Sequence, residues 1–246
     1  MDLKNRNVLV IGATGGMGRV ISKKMADVGA SKLFLVSNDK EGLDKLSSEL
    51  GVENKTYVCD LSSRASINDF LLEFDRDCED LGVLINAAGV GIYKNLSDMN
   101  DHDWDLSIAL NLTAVQMVTR GVIKQLENGD GGVVVSLGSG AGRIPMRGRS
   151  VYCVTKFGLR GWSLSLSEEY RNKNVKFVLM TLGSVMTGFG PMTKEDKEMQ
   201  NKKGEKQYLS PDQVADKIVE NILQENPKEE VEFYPLGYVE EWGGLK

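Results

Sequence analysis

A tyrosine and a lysine four residues apart could carry out proton transfer in this chain. Tyr152 and Lys156 stand in a stretch whose pattern predicts a helix, and Ser139 comes thirteen residues before the tyrosine. Because residues i and i+4 share one face of a helix, the phenol and the ammonium can point into one cleft. The phenol would donate a proton, the ammonium would tune it, and the serine hydroxyl would hold an oxygen. The alternative is a solvated pair, since this spacing also occurs by chance on helices.

The elements that must position these side chains alternate between strands and helices. Apolar runs predict strands at 7–11, 32–36, 55–59, 83–86, 132–137, 175–182 and 231–234. Amphipathic stretches predict helices at 17–28, 40–50, 64–81, 103–126, 151–172 and 211–224. Several strands are almost entirely apolar, as buried parallel strands are. The alternation predicts an α/β fold in one domain over residues 1–246, with a doubly wound parallel sheet of about seven strands and helices on both faces.

Composition narrows the classes of partner and compartment. The chain has 246 residues, of which 41% are apolar and 26% charged, and its net charge is −5. This acidic balance argues against nucleic acid and anionic membrane as partners. No apolar run is long enough to span a bilayer and the amino-terminal run lacks a cleavage site, so we expect a cytoplasmic protein. The three cysteines lack metal-ligand spacing, and we expect reduced thiols and no metal site.

A glycine-rich turn follows the first predicted strand and opens the first helix. Glycines let the backbone approach a pyrophosphate, and the helix offers free N–H groups and the positive end of its dipole. The spacing fits GxxxGxG through Gly12, Gly16 and Gly18, and it fits GxxGxxG through Gly12, Gly15 and Gly18. We assign dinucleotide binding to Gly12, Thr14, Gly15, Gly16, Met17 and Gly18.

The end of the second predicted strand bears on which dinucleotide binds. An enzyme that uses NAD often carries an acid here for the ribose diol, but this chain has Ser37 followed by Asn38. With no acid to repel a 2′-phosphate and Lys40 nearby, NADP(H) is favoured over NAD(H). Asp39 could still bind the diol if the turn is displaced by one residue. Asp60, after the third strand, could accept from the adenine amino group, cap the following helix, or do both.

In order and spacing, these residues match a known family along nearly the whole chain. The matching positions are the turn Gly12–Gly18, Asp60, Asn86-Ala87-Ala88-Gly89, Asn111, Ser139, Tyr152, Lys156 and Gly183-Ser184-Val185-Met186-Thr187. The chain resembles the short-chain dehydrogenases/reductases, in their compact single-domain branch. It departs from them at Ile11, where threonine is usual, and at Leu182, where proline is usual. Its carboxyl end, 231–246, is similar to that of the family's broad carbonyl reductases.

The resemblance implies a Rossmann-type fold and reversible hydride transfer between a nicotinamide and a carbonyl or secondary alcohol substrate. Tyr152 would be the general acid, Lys156 would tune it and bind the nicotinamide ribose, and Ser139 would hold the substrate oxygen. Asn111 would hold a water linking Lys156 to solvent, although it could instead bond backbone within its own helix. The resemblance adds further cofactor-binding positions, namely Leu61, Asn86, Ala87, Gly89, Gly183, Val185 and Thr187, together with Tyr152 and Lys156.

Three segments are expected to shape the substrate pocket, namely 90–96, 140–149 and 188–207. The last segment interrupts the strand–helix rhythm, and it is either an insertion that covers the ligand or a surface loop. Its lysine-rich part, 194–206, contains interleaved acids and is expected to be solvated. Arg143, Arg147 and Arg149 could attract an acidic group or simply be solvated.

Two other functions and an oligomer are also considered. A non-catalytic dinucleotide-binding regulator would keep the glycine turn and could lose the tyrosine, lysine or serine, all of which are present. A sugar epimerase or dehydratase of the extended branch would fit GxxGxxG, but the chain is short for that branch. The family usually forms homodimers or homotetramers through its fourth and fifth helices. The apolar residues that would serve this purpose are Trp104, Leu106, Leu110, Phe157, Trp162 and Leu166.

Overall fold

One parallel sheet organises the chain. The structure is a computed structural model that describes residues 3–128 and 130–237, so the carboxyl end from 238 to 246 lies outside the described residues. The strands are β1 (Asn7–Ile11), β2 (Lys32–Ser37), β3 (Glu53–Val58), β4 (Val83–Asn86), β5 (Gly132–Leu137), β6 (Val175–Leu182) and β7 (Glu230–Phe233). They lie in the order β3-β2-β1-β4-β5-β6-β7, and every neighbouring pair is parallel. The predicted doubly wound α/β sheet is confirmed.

The strands are nearly all apolar because both faces of the sheet are covered. Side chains alternate along a strand, so Val8 and Val10 of β1 join the hydrophobic core on one face. Leu9 and Ile11 join a separate core on the other face. The first core includes residues of the helix after β1 and the last helix, and the second includes residues of the helices between β3 and β5. From β1 the sheet is extended on one side by β2 and β3 and on the other side by β4 to β7. This reversal of strand order between β1 and β4 opens a crevice at their carboxyl ends.

The described helices are α1 (Gly16–Asp27), α2 (Lys40–Glu49), α3 (Arg64–Asp77), α4 (Asp101–Ile108), α5 (Ala114–Gly121), α6 (Ile123–Glu127), α7 (Ser150–Glu169), α8 (Lys194–Lys202) and α9 (Pro211–Ile222). A π-helical turn, Ala109–Thr113, joins α4 to α5 without a break. Within residues 3–128 and 130–237, no helix combines the length and apolar character needed to cross a membrane.

The predicted helices differ from the observed ones by one to four residues at their ends, and two of these differences have a clear local cause. The third ends at Asp77 rather than at 81, because Cys78 has an extended backbone and the Leu81 N–H donates to the Gln125 carbonyl. The fourth begins two residues before 103, because Asn100 caps it in a reciprocal pair with Asp103. It also contains the π-helical turn, which apolar spacing alone did not predict.

The expectation of a solvated loop at 194–206 is wrong for its first part, which forms α8. The signal for this helix was present in the sequence. Thr193 accepts a hydrogen bond from the Asp196 N–H, and the Asp196 carboxylate accepts from the Thr193 N–H, which makes a capping box. Apolar periodicity did not predict this helix, because most of its residues are lysines, glutamates and other polar residues.

Candidate active site

A cavity of about 870 Å³ opens where the carboxyl ends of the strands meet. Its floor comes from turns that follow β1, β2, β3, β4, β5 and β6. This is the position at which open α/β sheets bind ligands. Seventeen of the twenty predicted site residues line it, namely Gly12, Thr14, Gly15, Gly16, Met17, Ser37, Asn38, Asp60, Leu61, Ala87, Gly89, Ser139, Tyr152, Lys156, Gly183, Val185 and Thr187. The other three, Gly18, Asn86 and Asn111, are not part of the lining.

The glycine turn forms a cradle that side chains would fill. Gly12 has φ +78°, a conformation that favours glycine. A Cβ on Gly18 would lie 2.0 Å from the Gly12 carbonyl oxygen, which explains why Gly18 packs beneath the turn instead of lining the cavity. A Cβ on Gly16 would lie 2.8 Å from the Cβ of Thr187, so this turn touches the loop after β6. No side chain caps α1, which leaves its first N–H groups for an anion.

The end of β2 carries hydroxyl and amide groups facing the cavity. Thr14 Oγ1 and Ser37 Oγ are 2.6 Å apart, and the Asp39 N–H donates to Ser37 Oγ at 3.2 Å. The Asp39 carboxylate accepts from the Gly42 N–H at 2.9 Å and caps α2. Asp39 is absent from the cavity lining, so the displaced-turn alternative for the ribose diol has no support here. Asn38 is exposed and lines the cavity.

Asp60 lines the cavity but does not cap the next helix. Its Oδ1 accepts from the N–H and the hydroxyl of Ser62 at 2.9 and 2.7 Å, and these bonds lower the pKa of the carboxyl group. The cap of α3 is Ser63, whose hydroxyl accepts from the Ser66 N–H. The second carboxylate oxygen of Asp60 takes no part in the two bonds from Ser62.

Tyr152 and Lys156 lie together on the first turns of α7, and both are buried, at 5% and 6% exposed. The Lys156 Nζ donates to the Leu137 carbonyl at 2.8 Å and lies 5.6 Å from the centre of the Tyr152 ring. Burial lowers the pKa of Lys156 to about 8, because desolvation penalises the charged form. Ser139 Oγ accepts from the Ala141 N–H at 3.2 Å, which leaves its O–H able to donate. A solvated pair is therefore not what the structure contains.

Asn111 sits in the π-helical turn, behind the wall of the cavity. Its Oδ1 accepts from the Val90 N–H at 2.8 Å, and its Nδ2 donates to the Val90 carbonyl at 2.9 Å. Nδ2 also lies 3.1 Å from Thr155 Oγ1, on the helix that carries Tyr152 and Lys156. The amide thus joins the loop after β4 to α7, instead of bonding backbone in its own helix. Its expected role in holding water stays a prediction.

Asn86 ends β4 and is also buried. Its Nδ2 is bonded to the hydroxyls of Thr119 and Ser136 at 3.2 and 3.4 Å. Its Oδ1 is buried and has no hydrogen-bond partner within the described part of the chain. Asn86 therefore supports the strand end from below, and a direct contact with cofactor stays a prediction.

Aromatic rings surround the candidate phenol, and the sequence did not single them out. The rings of Tyr93 and Phe189 lie 5.3 and 5.8 Å, centre to centre, from the ring of Tyr152. Both residues line the cavity and fall within the segments 90–96 and 188–207 that were expected to shape the pocket. Of the three arginines considered, only Arg149 lines the cavity, whereas Arg143 is paired with Glu232.

The segment 188–207 contributes directly to the cavity. Its lining residues are Gly188, Phe189, Pro191, Met192, Lys197 and Lys206. Lys197 is 8% exposed, and its Nζ donates to the carbonyls of Thr187 and Phe189, both at 2.7 Å. Burial lowers the pKa of Lys197, and the like charge of Lys206 lowers it further. Lys197 therefore ties α8 to the loop after β6.

A family model described as short chain dehydrogenase matches residues 6–200. Nodulation protein G of Rhizobium meliloti is 31% identical over 196 residues, which cover 80% of this chain and 78% of that protein. A 3-oxoacyl-(acyl-carrier-protein) reductase of Haemophilus influenzae is 27% identical over 185 residues, covering 75% and 76%. A metagenomic short-chain oxidoreductase solved in complex with NADP is 28% identical, with a TM-score of 0.80 and coverage of 96% and 99%.

Proposed function

The chain belongs to the short-chain dehydrogenases, and from that premise we propose that it transfers hydride reversibly between NAD(P)(H) and a carbonyl or secondary alcohol. The observation that carries the proposal is the buried pair of Tyr152 and Lys156 at the edge of one cavity. A buried lysine whose pKa has fallen to about 8 is tuned by its surroundings in the way that functional groups often are.

The residues present fit a dinucleotide. The glycine turn leaves the space that a pyrophosphate needs, and α1 has no side-chain cap to compete with an anion. The cavity volume of about 870 Å³ lies in the range of cofactor sites. When bound, the nicotinamide supplies or accepts the hydride. Thr187 would contact its amide and Lys156 would bind its ribose.

In the direction of carbonyl reduction, Tyr152 donates the proton to the substrate oxygen. The ammonium of Lys156 favours the phenolate that this step leaves behind, because it places a positive charge beside it. Ser139 donates to the same substrate oxygen and stabilises its developing negative charge. Asn111 fixes the relation of α7 to the loop after β4, so it supports the geometry of both groups.

NADP(H) is the cofactor we favour. Two facts support this choice, namely the absence of a carboxylate at Ser37 and Asn38 and the use of Asp39 as a helix cap. The metagenomic oxidoreductase that is 28% identical to this chain was solved in complex with NADP. The nearby cations Arg19 and Lys40 are already paired with Glu49 and Asp44. These pairs limit how strongly the two cations can favour NADP(H) over NAD(H).

A homodimer or homotetramer is also proposed. Trp104 on α4 and Val154 and Phe157 on α7 are 45%, 46% and 45% exposed, and the two helices pack against each other. Trp104 and Phe157 were among the six predicted interface residues, and the other four have different neighbours. Leu106 and Leu110 line the cavity, and Trp162 and Leu166 pack against the core.

The test is Tyr152→Phe, which keeps the ring and removes the proton donor. We expect oxidation of NADPH by a panel of ketones, aldehydes, diketones and acyl thioesters to fall by at least ~100-fold. The dissociation constant for NADPH should change little. Wild-type rates in the variant would remove Tyr152 from the chemistry, and a wild-type protein that binds NADPH but reduces nothing in the panel would favour the non-catalytic regulator.

A further inference from the structure

The cavity is basic although the protein is acidic. The net charge of the chain is −5, yet the charged residues lining the cavity are Asp60, Arg149, Lys156, Lys197 and Lys206. Asp60 follows β3, at the edge of the sheet, and Lys156 is placed in the proton-transfer step. Lys197 is bonded to two backbone carbonyls. Arg149 is a cation near the candidate phenol, and the proposed chemistry assigns no role to this arginine.

Arg149 is held in place by contacts that do not neutralise its charge. Its guanidinium carbon lies 4.4 Å from the centre of the Tyr93 ring, and its Nη1 lies 3.4 Å from the Met146 Sδ. Among residues 3–128 and 130–237, no carboxylate lies within ion-pair distance of it. Stacking fixes the plane of a guanidinium and leaves the donors along its edge free to bind an anion.

The position of Arg149 relates it to the reacting group. It immediately precedes α7 and comes three residues before Tyr152, so both side chains emerge from the same turn of chain. The Tyr93 ring contacts both of them, the guanidinium on its face and the Tyr152 ring at 5.3 Å. The guanidinium and the Tyr152 ring therefore both lie against one aromatic side chain of the cavity wall, so a single substrate could reach both.

Apolar side chains line the same cavity. They come from Leu106, Leu110, Phe189, Pro191 and Met192, alongside polar residues such as Ser139 and Tyr208. Such walls favour an apolar body, because burying it gains free energy in proportion to its area. A single planar guanidinium fits one carboxylate, which it can bind through two parallel hydrogen bonds.

We propose that the substrate is an oxo acid with an apolar body, or the corresponding hydroxy acid, and that Arg149 binds its carboxylate. This proposal rests on the proposed hydride transfer. In reduction, the carbonyl carbon gains the hydride and the carbonyl oxygen gains the Tyr152 proton, which yields the hydroxy acid and oxidised cofactor. The carboxylate takes no part in the chemistry, and Arg149 is a specificity-determining residue.

The test compares acids with their uncharged amides of nearly equal shape. The probes are benzoylformate and benzoylpropionate, each paired with its primary amide, with the full chain and NADPH or NADH. Arg149→Gln removes the charge, and it should fold because the Arg149 side chain makes no helix-capping bond. The matched control is Arg147→Gln, since Arg147 is an exposed arginine of the same segment that does not line the cavity.

We expect wild-type protein to favour one of the acids over its amide by about 10- to 100-fold in kcat/KM, the usual effect of a hydrogen bond to a charged group. Arg149→Gln should lose this preference mainly through a higher KM for the acid, and Arg147→Gln should keep it. Equal use of acid and amide by wild type, or an unchanged preference in Arg149→Gln, would overturn the proposal.

Binding measured without turnover separates this proposal from the proposed function. Calorimetric titration of benzoylformate and benzoylpropionate into protein saturated with NADP⁺ should show binding to wild type and Arg147→Gln but not to Arg149→Gln. Equal affinity in all three proteins would overturn the carboxylate site. If neutral ketones are reduced and neither acid is bound or reduced, the substrate class fails and hydride transfer stands. If no carbonyl compound oxidises either cofactor, hydride transfer itself fails.

Discussion

The Lys156 ammonium lies 5.6 Å from the centre of the Tyr152 ring and donates to the Leu137 carbonyl at 2.8 Å. The last residue of β5 therefore positions the cation that accompanies the phenol on α7. The ammonium is buried, and burial lowers its pKa from 10.5 to about 8. A lysine in this state can change its charge near neutral pH, which an exposed lysine does not do.

The shifted pKa of Lys156 predicts a pH-dependent stability in the absence of cofactor. Between pH 8 and 10.5 the native lysine is neutral and the unfolded lysine is charged, so the unfolded state binds more protons. The free energy of unfolding should then rise with pH through this window, by about 3 kcal/mol if the whole shift is realised. Urea unfolding of the wild type at several pH values measures it.

The control is Lys156→Met, because buried thiols such as Cys59 and Cys78 also titrate at alkaline pH. Burial raises the pKa of both thiols, which lowers stability as pH rises and works against the lysine. Both thiols remain in the variant. The free energy of unfolding of the wild type minus that of the variant should therefore rise from pH 8 to 10.5. A difference that does not change with pH would contradict the pKa assigned to Lys156.

The cofactor preference is tested at Asn38, which is exposed and lines the cavity. Asn38→Asp adds a negative charge with little change in shape. Repulsion of a 2′-phosphate should raise the KM for NADPH by about 10-fold and leave that for NADH nearly unchanged. Asn38→Ala separates loss of the amide from gain of charge. Equal effects of Asn38→Asp on both cofactors would show that no phosphate binds there.

The buried ammonium of Lys197 is expected to order the segment that covers part of the cavity. Lys197→Met keeps the length of the side chain but leaves the Thr187 and Phe189 carbonyls without their donor. Amide hydrogen exchange in 188–202 should become faster by about 10-fold or more. Lys202→Met, on an exposed position of α8, is the matched control. If the two variants exchange alike, Lys197 does not hold this segment.

Self-association is expected to depend on the exposed apolar residues of α4 and α7. Phe157→Glu places a charge one turn from Val154 on α7, the helix that packs against α4 and its Trp104, where association would bury the charge without a partner. Light scattering should then give a smaller molar mass than for the wild type. Leu72→Glu changes an apolar residue that is 63% exposed on α3 and should leave the mass unchanged. A monomeric wild type would end the oligomer proposal.

Much of the sheet and of the cavity floor followed from the sequence. Apolar runs predicted the seven strands and the glycine turn predicted the lining after β1, whereas the lining after β4 and β6 was expected from the resemblance to the short-chain dehydrogenases/reductases. A glycine such as Gly16 signals its role through its missing side chain, since a Cβ there would meet Thr187. The strands and the glycine turn need only the periodicity of strands and the geometry of turns.

The chemistry around Tyr152 could not be predicted in the same way. Arg149 and Tyr93 are distant in sequence, and their stacking arises only when α7 packs beside the loop after β4. Lys197 looked like one of many solvated lysines, and its burial is set by the two carbonyls that it binds. Such contacts depend on tertiary packing, which leaves no periodic signal in the sequence.

The π-helical turn at Ala109–Thr113 makes this stretch more sensitive to chain length than to composition. Its wider hydrogen-bonding pattern accommodates a residue that a regular helix would exclude. Deleting one residue there would restore an ordinary helix and leave the faces of the flanking helices in phase, because the wider turn already absorbs the extra residue. Met117 and Val118 could then stay in the core, but the side chains within the turn would shift, and Asn111 would lose the position from which it binds Val90. Homologues that lack this residue should therefore fasten the loop after β4 by some other means.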